Sequence, residues 1–439
     1  MKIGDVNLAD PDAFFTAVPY DYFAMMRREA PVSWVPRVGD DGFWSITRYA
    51  DIADVEKRPE VFSSRANILP LPIPEYTLAR DIDHNIILSD PPRHGFLRRV
   101  IMSAFTQKAI LGINERVRVL TTRIIDSVIE SGECNLVDVA AYVPIEIVAE
   151  MLGVPESDRA RLFAWADATV GSADPDATRH ISSKQAAEEM FEYASRLGAE
   201  RRRNPQGDIF STIAAAKENG ERLSDVDLGC FFLLLATAGT ETTRTQILQG
   251  SLALIEHPDQ RRKLIEDRSK LTNAIEEMLR WSTPAMCFGR KALVDTQVGG
   301  QAIKAGQQVV LWYCSGSRDE SVFANPDVFD VNRHNAREHQ AFGVRGSIHQ
   351  CLGSMLARSE LVAVFDALLE RMPDMSLAGP VVRLRSNFAN GIKQMPVRFT
   401  PGIVLGDGPS ARWYAAENEG CPAHSSPSAT RCPVTSHGE

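Results

Sequence analysis

Two short stretches of the chain bring together residue types that could do chemistry. The first is Phe342-Gly343-Val344-Arg345-Gly346-Ser347-Ile348-His349-Gln350-Cys351-Leu352-Gly353. Its glycines punctuate a loop that delivers Cys351 to the start of an alanine- and leucine-rich helical pattern. A thiolate placed there faces the positive end of that helix and loop amides that can donate to sulfur. Both favour the ionised form, which is the form that ligates a metal. The opposing reading makes Cys351 one of seven cysteines, buried as a small hydrophobe; the loop alone allows both. The second stretch, Ala238-Gly239-Thr240-Glu241-Thr242-Thr243, sits in the middle of a long apolar helical pattern. Glycine and threonines are poor helix formers, and a carboxylate is costly in a core. A local conflict of this kind inside a strong element marks a functional site, because the flanks are too apolar for an exposed polar stretch. Gly239 admits a group close to the backbone. Thr242 can hydrogen-bond a backbone carbonyl and loosen the turn.

Two further pairs are weaker taken singly. His94 and Arg98 are four apart and share a helix face, suited to clamping an anion or to lying solvated on a surface. Glu277 and Arg280, three apart, can pair on one face, as many surface residues do.

The elements that position these residues follow from pattern. Ser224-Asp225-Val226-Asp227 is a capping signal, and apolar spacing continues to the stop at His257-Pro258. About 33 residues at 1.5 Å each give roughly 50 Å, enough to cross a whole domain as its buried spine. Ser89-Asp90-Pro91-Pro92 opens the helix that carries His94. Residues 109–130, 143–152, 183–203 and 272–280 read as helices, as does the run from Cys351 to Met372-Pro373. Nearer the N-terminus, a helix at 20–29 precedes strands at 31–35 and 43–47 joined by Gly39-Asp40-Asp41-Gly42, then a helix at 50–57. Residues 292–298 and 308–313 suggest a small antiparallel sheet, and a last hairpin surrounds Asn387. The fold class is therefore mainly α with small β-sheets. Ile68-Leu69-Pro70-Leu71-Pro72-Ile73-Pro74 cannot be helical and reads as a pocket wall, a lid or a packed surface loop within 66–88. Beyond about residue 402 the composition shifts to Gly, Ser, Pro and Ala. A flexible tail over 403–439 is expected there, carrying Cys421 and Cys432.

Composition narrows the class. A net charge of −9 argues against a general nucleic-acid binder. The apolar run from Phe231 to Ala236 is far too short to span a bilayer. The acidic start after Met1 is not a secretory signal. Seven cysteines without CxxC spacing disfavour a zinc ribbon or a disulfide framework, and a reducing cytoplasm is expected.

In this order and spacing the signals resemble the cytochrome P450 family of haem-thiolate monooxygenases, over roughly residues 15–400. The family's oxygen-activating motif, Ala/Gly-Gly-x-Asp/Glu-Thr-Thr/Ser, matches Ala238 to Thr243. Its Glu-x-x-Arg motif matches Glu277 to Arg280, with Arg333 as the third member of that ion network. Its cysteine loop matches Phe342 to Gly353. The chain departs from the family at Ser347, where a glycine is usual, and in placing Phe342 nine residues before Cys351. The loop is lengthened by one or two residues, which puts the packing of Phe342 and Arg345 near the sulfur in question.

The resemblance implies a single large triangular α-rich haem domain over 1–402, built around the central helix. It implies haem b with Cys351 as the proximal iron ligand, and His94, Arg98, Arg290 and His349 on its propionates. Ala238, Gly239 and Phe342 would flank the cofactor, and Glu241 and Thr242 would deliver protons to iron-bound oxygen. Leu234, Thr237, Ala285, Met286, Phe288, Asn387 and Phe388 would line an apolar substrate pocket, as in bacterial members acting on terpenes, steroids and branched lipids; an alkylaromatic fits too. NAD(P)H-derived electrons would come through a separate ferredoxin and its reductase, met by a basic patch of Arg99, Arg345 and Arg358. A cytoplasmic monomer is expected. The competing readings are a haem-thiolate enzyme of another type (peroxide-driven decarboxylation, isomerisation or oxidative coupling) and a non-catalytic haem sensor.

Overall fold

The structure, a computed structural model, describes residues 2–37, 40–65, 84–102, 107–218 and 220–406. Most of the proline-rich loop, the tail from residue 407, and Cys421 and Cys432 lie outside the described residues. Among those described, no helix is long and apolar enough to cross a membrane.

The sequence places a capping box ahead of the longest apolar pattern, and a 32-residue helix, Asp225–Glu256, starts there. The Ser224 hydroxyl accepts from the Asp227 amide at 3.1 Å, and the Asp227 carboxylate accepts from the Ser224 amide at 2.8 Å. With its neighbours this helix becomes α6 of the eight helices that position the site. The others are α1 (Tyr49–Glu56), α2 (Arg93–Met102), α3 (Leu136–Leu152), α4 (Arg159–Val170), α5 (Ser183–Arg203), α7 (Leu271–Ser282) and α8 (Ser354–Arg371). Helix α3 begins well before the expected 143, carrying Pro144 inside it.

Two apolar cores share the central helix. Its first half gives Leu228, Phe231, Phe232 and Ala236 to a core with Leu152 of α3, Trp165 of α4 and Met190 of α5. Its second half gives Ile247, Leu248 and Leu252 to a core with Ile275 and Met278 of α7 and Val364 and Phe365 of α8. The polar stretch 238–243 falls between them, so the segment that would weaken either core lies in neither.

A five-stranded sheet lies beside the helices. Its strands β1 (Val32–Arg37), β2 (Asp40–Ile46), β3 (Phe62–Ser63), β4 (Cys287–Ala292) and β5 (Gln308–Trp312) run in the order β1-β2-β5-β4-β3. Strand β5 pairs parallel with β2 and antiparallel with β4, Val309 facing both Trp44 and Arg290. The expected strand at 292–298 is displaced. The apolar pair Leu293-Val294 that suggested it is exposed, and 296–298 instead forms a separate hairpin with 301–303.

The expected ion network is fully formed and fully buried. Arg280 grips Glu277 through two hydrogen bonds of 2.7 and 2.8 Å, and Arg333 Nε donates to the same carboxylate at 3.0 Å. Neither Glu277 nor Arg280 has solvent exposure. Removing one partner of a buried ion pair strands the others, at a cost of roughly 3–5 kcal/mol. Glu277→Gln should therefore lower the thermal unfolding midpoint sharply or prevent folding. A midpoint within a degree or two of wild type, measured by circular dichroism, would contradict this account.

Candidate active site

A cavity of about 410 Å³ opens where α6 passes between its two cores. One wall is α6 itself, from Leu233 to Gln246, and it includes Leu234, Thr237, Ala238, Gly239, Glu241 and Thr242. The opposite wall is the cysteine loop and α8, through Phe342, Gly343, Cys351, Gly353, Leu356 and Glu360. His94 and Arg98 of α2, Arg290 of β4, Tyr313 and His349 gather at one edge. Ile86, Val148, Ala285, Phe288 and Phe388 supply apolar surface. The chain thus brings together residues as far apart in sequence as His94 and Cys351.

Gly343 and Gly346 hold left-handed φ angles of +76° and +82°, which side chains rarely adopt, and the Cys351 amide donates to the Phe342 carbonyl at 2.9 Å. Phe342 is fixed between the His339 ring, with centroids 5.7 Å apart, and the Arg358 guanidinium, 4.5 Å above its face. The extra residues form a turn, Ser347 N donating to Val344 O at 3.1 Å. Val344 is buried in the core beside the five-stranded sheet, Arg345 is exposed, and Ser347 is buried off the cavity. The lengthening is thus absorbed by a turn away from the sulfur, which settles the packing that the sequence left in question.

Cys351 opens onto the cavity while protein closes around it. Burial pushes its thiol up, against the pull of the Gly353 and Ser354 amides and of the Arg98 and Arg358 charges. The loop amides thus favour the thiolate, as expected from the sequence, while burial opposes them; a bound metal would add to the favourable side. Among the described residues no cluster of three His, Cys, Asp or Glu side chains could hold a bare ion. A lone cysteine suits a metal that brings its other ligands in a macrocycle.

The edge formed by His94, Arg98, Arg290 and His349 suits carboxylates. His94 is 2% exposed, and among the described residues its Nε2 has no partner. Burial, reinforced by Arg98, pulls His94 down to about 4, and burial likewise drives His349 low. Both rings are neutral near pH 7 and can each donate one N–H. His349 Nε2 lies 2.8 Å from the Ser64 hydroxyl, Arg98 donates to the Gln350 carbonyl at 2.9 Å, and Arg290 donates to buried Glu56 at 2.7 Å. An unpartnered buried imidazole beside two guanidinium groups fits the paired carboxylates of a haem.

On α6 the threonine hydroxyls turn back on the helix. Thr237, Thr240 and Thr242 donate to the carbonyls of Leu233, Ala236 and Ala238 at 2.7, 2.7 and 2.8 Å. The helix stays continuous rather than loosened. With its hydrogen committed, the Thr242 oxygen faces the cavity region as an acceptor. Gly239 is small for a second reason beyond the expected close approach of a ligand: a Cβ there would lie 2.8 Å from Val148 of α3. Glu241 is buried and accepts from Arg244 at 2.6 Å; the same arginine donates to Asp167 of α4 at 2.9 Å. Burial pushes Glu241 up to about 7, helped by the Asp167 charge and opposed by Arg244.

Two expected lining residues lie elsewhere. Met286 packs in the core with Phe14, Phe23 and Trp312, since alternation along the chain turns it away from the face of Ala285. Asn387 spends its amide on the carbonyls of Leu8 and Ala9, at 3.1 and 3.2 Å. Of the expected basic patch, Arg99 and Arg345 are exposed, but Arg358 is bound to Glu276 at 2.7 Å. Sequence reasoning missed Glu360. It interrupts the stripe Leu356, Glu360, Val364 on α8, is 1% exposed, leaves Oε1 unpartnered, and is pushed by burial up to about 8. A carboxyl inside an apolar stripe was the available signal.

Comparison with known proteins decides the family. The family model for cytochrome P450 matches residues 172–372. The chain is 37% identical over 403 residues to a steroid C26-monooxygenase of Rhodococcus jostii, covering 90% of this chain and 84% of that protein. The chain belongs to the cytochrome P450 family. This P450 is also 38% identical over 417 residues to a methyl-branched lipid omega-hydroxylase of Mycobacterium tuberculosis, covering 91% of this chain and 96% of the other. A Mycobacterium marinum cytochrome P450 solved in complex with pseudoionone superposes with a TM-score of 0.84 at 36% identity, covering 91% and 99% of the two chains. The protein is a bacterial haem-thiolate monooxygenase, and its mainly α architecture with small sheets is that of the family.

Glu241 supplies a test independent of turnover. Its folded value lies above the ordinary 4.5, so its contribution to stability is fully present below that value and is lost as pH rises through about 7. Arg244 on the same helix and Asp167 from α4 are the charges that face it. Wild type should lose stability relative to Glu241→Gln between pH 5 and pH 7, with the difference flat above pH 8. Parallel pH–midpoint curves for the two proteins would refute the shift.

Proposed function

We propose that this P450 hydroxylates an unactivated C–H bond of a terpenoid, steroid, branched lipid or alkylaromatic molecule. The observation that carries this reading is the apolar end of the cavity, where Ile86, Leu234, Ala285, Phe288 and Phe388 face the same space as Cys351. Such a lining selects an apolar ligand by burial and leaves few polar groups to orient it. The steroid and methyl-branched lipid hydroxylases among the relatives support the same class.

When bound, a haem iron held by a thiolate supplies the activation of O2 and its insertion into a C–H bond. The residues of this chain do the rest. Cys351 would ligate the iron; Arg98, Arg290, His94 and His349 would hold the propionates through charge-assisted and neutral hydrogen bonds. Ala238, Gly239 and Phe342 would flank the macrocycle. Leu234, Thr237, Ala285, Phe288 and Phe388 touch the substrate, with Met286 and Asn387 supporting them from behind. Glu241, near half-protonated at neutral pH, can release a proton into the cavity and regain one through its contact with Arg244 and Asp167. Thr242, its own hydrogen committed to the Ala238 carbonyl, would accept a hydrogen bond from a water in the cavity. Glu277, Arg280 and Arg333 have a structural role.

Electrons from NAD(P)H enter through a ferredoxin and its reductase, and the exposed pair Arg99 and Arg345 offers an acidic carrier its cationic contact. The haem domain spans 1–402, with 403–439 as a tail, and the enzyme works as a cytoplasmic monomer. In Thr242→Ala, oxygen and NAD(P)H consumption should continue while product per electron pair falls severalfold. Unchanged coupling would remove Thr242 from proton delivery. The reduced holoprotein should give the red-shifted carbon monoxide band of a thiolate-ligated haem, and spin-state titration with terpenes, steroids, fatty acids and alkylaromatics should rank the substrate classes.

A further inference from the structure

We propose that Glu56 is a positioning residue for the haem: it aims Arg290 at the cofactor edge and offsets part of the positive charge there. The proposal rests on the haem-thiolate reading above. Glu56 is the last residue of α1, and its side chain is 1% exposed. One carboxylate oxygen accepts two hydrogen bonds, from Arg290 at 2.7 Å and from the Tyr313 hydroxyl at 2.6 Å. Arg290 and Tyr313 both line the cavity, whereas Glu56 stands behind them. Three separate elements thus meet on one buried oxygen: the end of α1, strand β4, and the turn that follows β5.

A buried ion pair used only for packing is a poor bargain, since an apolar substitute of similar volume often stabilises as much. Here the pair has a geometric product. Arg290 spends one nitrogen on Glu56 and another on the Gly289 carbonyl at 2.8 Å. A guanidinium carries five N–H donors in a rigid fork, so fixing two of its bonds from behind fixes the direction of those left for the cavity. There is also an electrostatic consequence. Arg98 and Arg290 are the guanidinium charges at this edge, and Glu56 balances one of them before any propionate does. A buried negative charge behind the cofactor edge favours the oxidised iron, because reduction adds an electron to an already negative surrounding. The sequence hid this residue: a glutamate followed by Lys57 at the end of a short helix reads as solvated surface.

The two roles separate by substitution, tested on the haem-loaded protein. Glu56→Gln keeps an acceptor of the same length but removes the charge. Its reduction equilibrium should shift toward ferrous haem by about three- to tenfold, roughly 30–60 mV at 59 mV per tenfold, with haem release to excess apomyoglobin close to wild type. Glu56→Asp keeps the charge but cannot reach both partners. Its potential should stay near wild type while haem release accelerates severalfold. A folded Glu56→Gln protein with an unchanged potential overturns the charge role, and unchanged haem release in Glu56→Asp overturns the positioning role. Should Glu56→Gln fail to fold, Glu56→Asp still decides the positioning role, on which the proposal then stands or falls. Failure of the haem reading itself would appear differently, as the absence of a thiolate-type carbon monoxide band in wild type.

Discussion

Two adjacent carboxylates on α7 hold the part of the chain that has no regular structure to hold itself. Glu277 faces one way, gripping Arg280 and Arg333, and accepts the Asp330 amide at 3.0 Å. The two arginines then spend their remaining donors on carbonyls: Arg280 on Ser317 and Pro326, Arg333 on Ala324, Asn325 and Val328. A loop whose backbone groups are buried must satisfy them somewhere, and here guanidinium forks do what a sheet or helix would do elsewhere. Glu276, one residue earlier, faces the other way. It binds His339 at 3.1 Å and Arg358 at 2.7 Å, joining the end of the irregular segment to the helix after the cysteine. Burial alone would raise Glu276; hydrogen bonds from His339 and Arg358 outweigh it and hold the carboxyl at about 2. Since His339 and Arg358 also flank Phe342, the position of the cysteine loop descends from this clamp.

The central helix shows the converse arrangement. Its ends are stabilised by ordinary means, a capping box and a proline stop, and its flanks by two apolar cores. That surplus permits a middle that is intrinsically weak as a helix. The threonines there donate to carbonyls one turn back and so give up their own donors inside the helix. What remains toward the cavity are acceptor oxygens and one acid, Glu241, anchored through Arg244 to α4. A helix too short to share two cores would have unravelled at such a centre.

The sequence made the local parts of this legible. Capping residues, proline stops and apolar period define α6 within a residue of its ends, and the glycine loop and the Glu277–Arg280 pair stand out by spacing. What it withheld are partners supplied by distant chain. Arg358 reads as a free surface cation until Glu276, 82 residues away, is folded against it. Met286 and Asn387 sit in segments that do reach the cavity, but a side chain's face there depends on where the strand alternation is pinned, and the pinning contacts come from Phe388 and from Leu8 and Ala9. Glu56 and Glu360 are charged residues whose burial no local pattern announces, although Glu360 does break an apolar stripe.

Taken together, the charges near the cavity fall into two populations that differ in how burial is compensated. Glu276, Glu277 and Glu56 each meet at least one cationic side chain at short range and act by holding something in place. Glu360 has no cation beside it and keeps one oxygen unpartnered; Glu241 shares Arg244 with Asp167, whose charge opposes ionisation. Those two are driven toward the neutral form and so carry protons near pH 7. Both line the cavity, whereas the three paired with cations stand outside its lining. A site that must admit protons while excluding stray negative charge from an apolar ligand needs this separation, and it arises from nothing more specific than which carboxylates were given an arginine of their own.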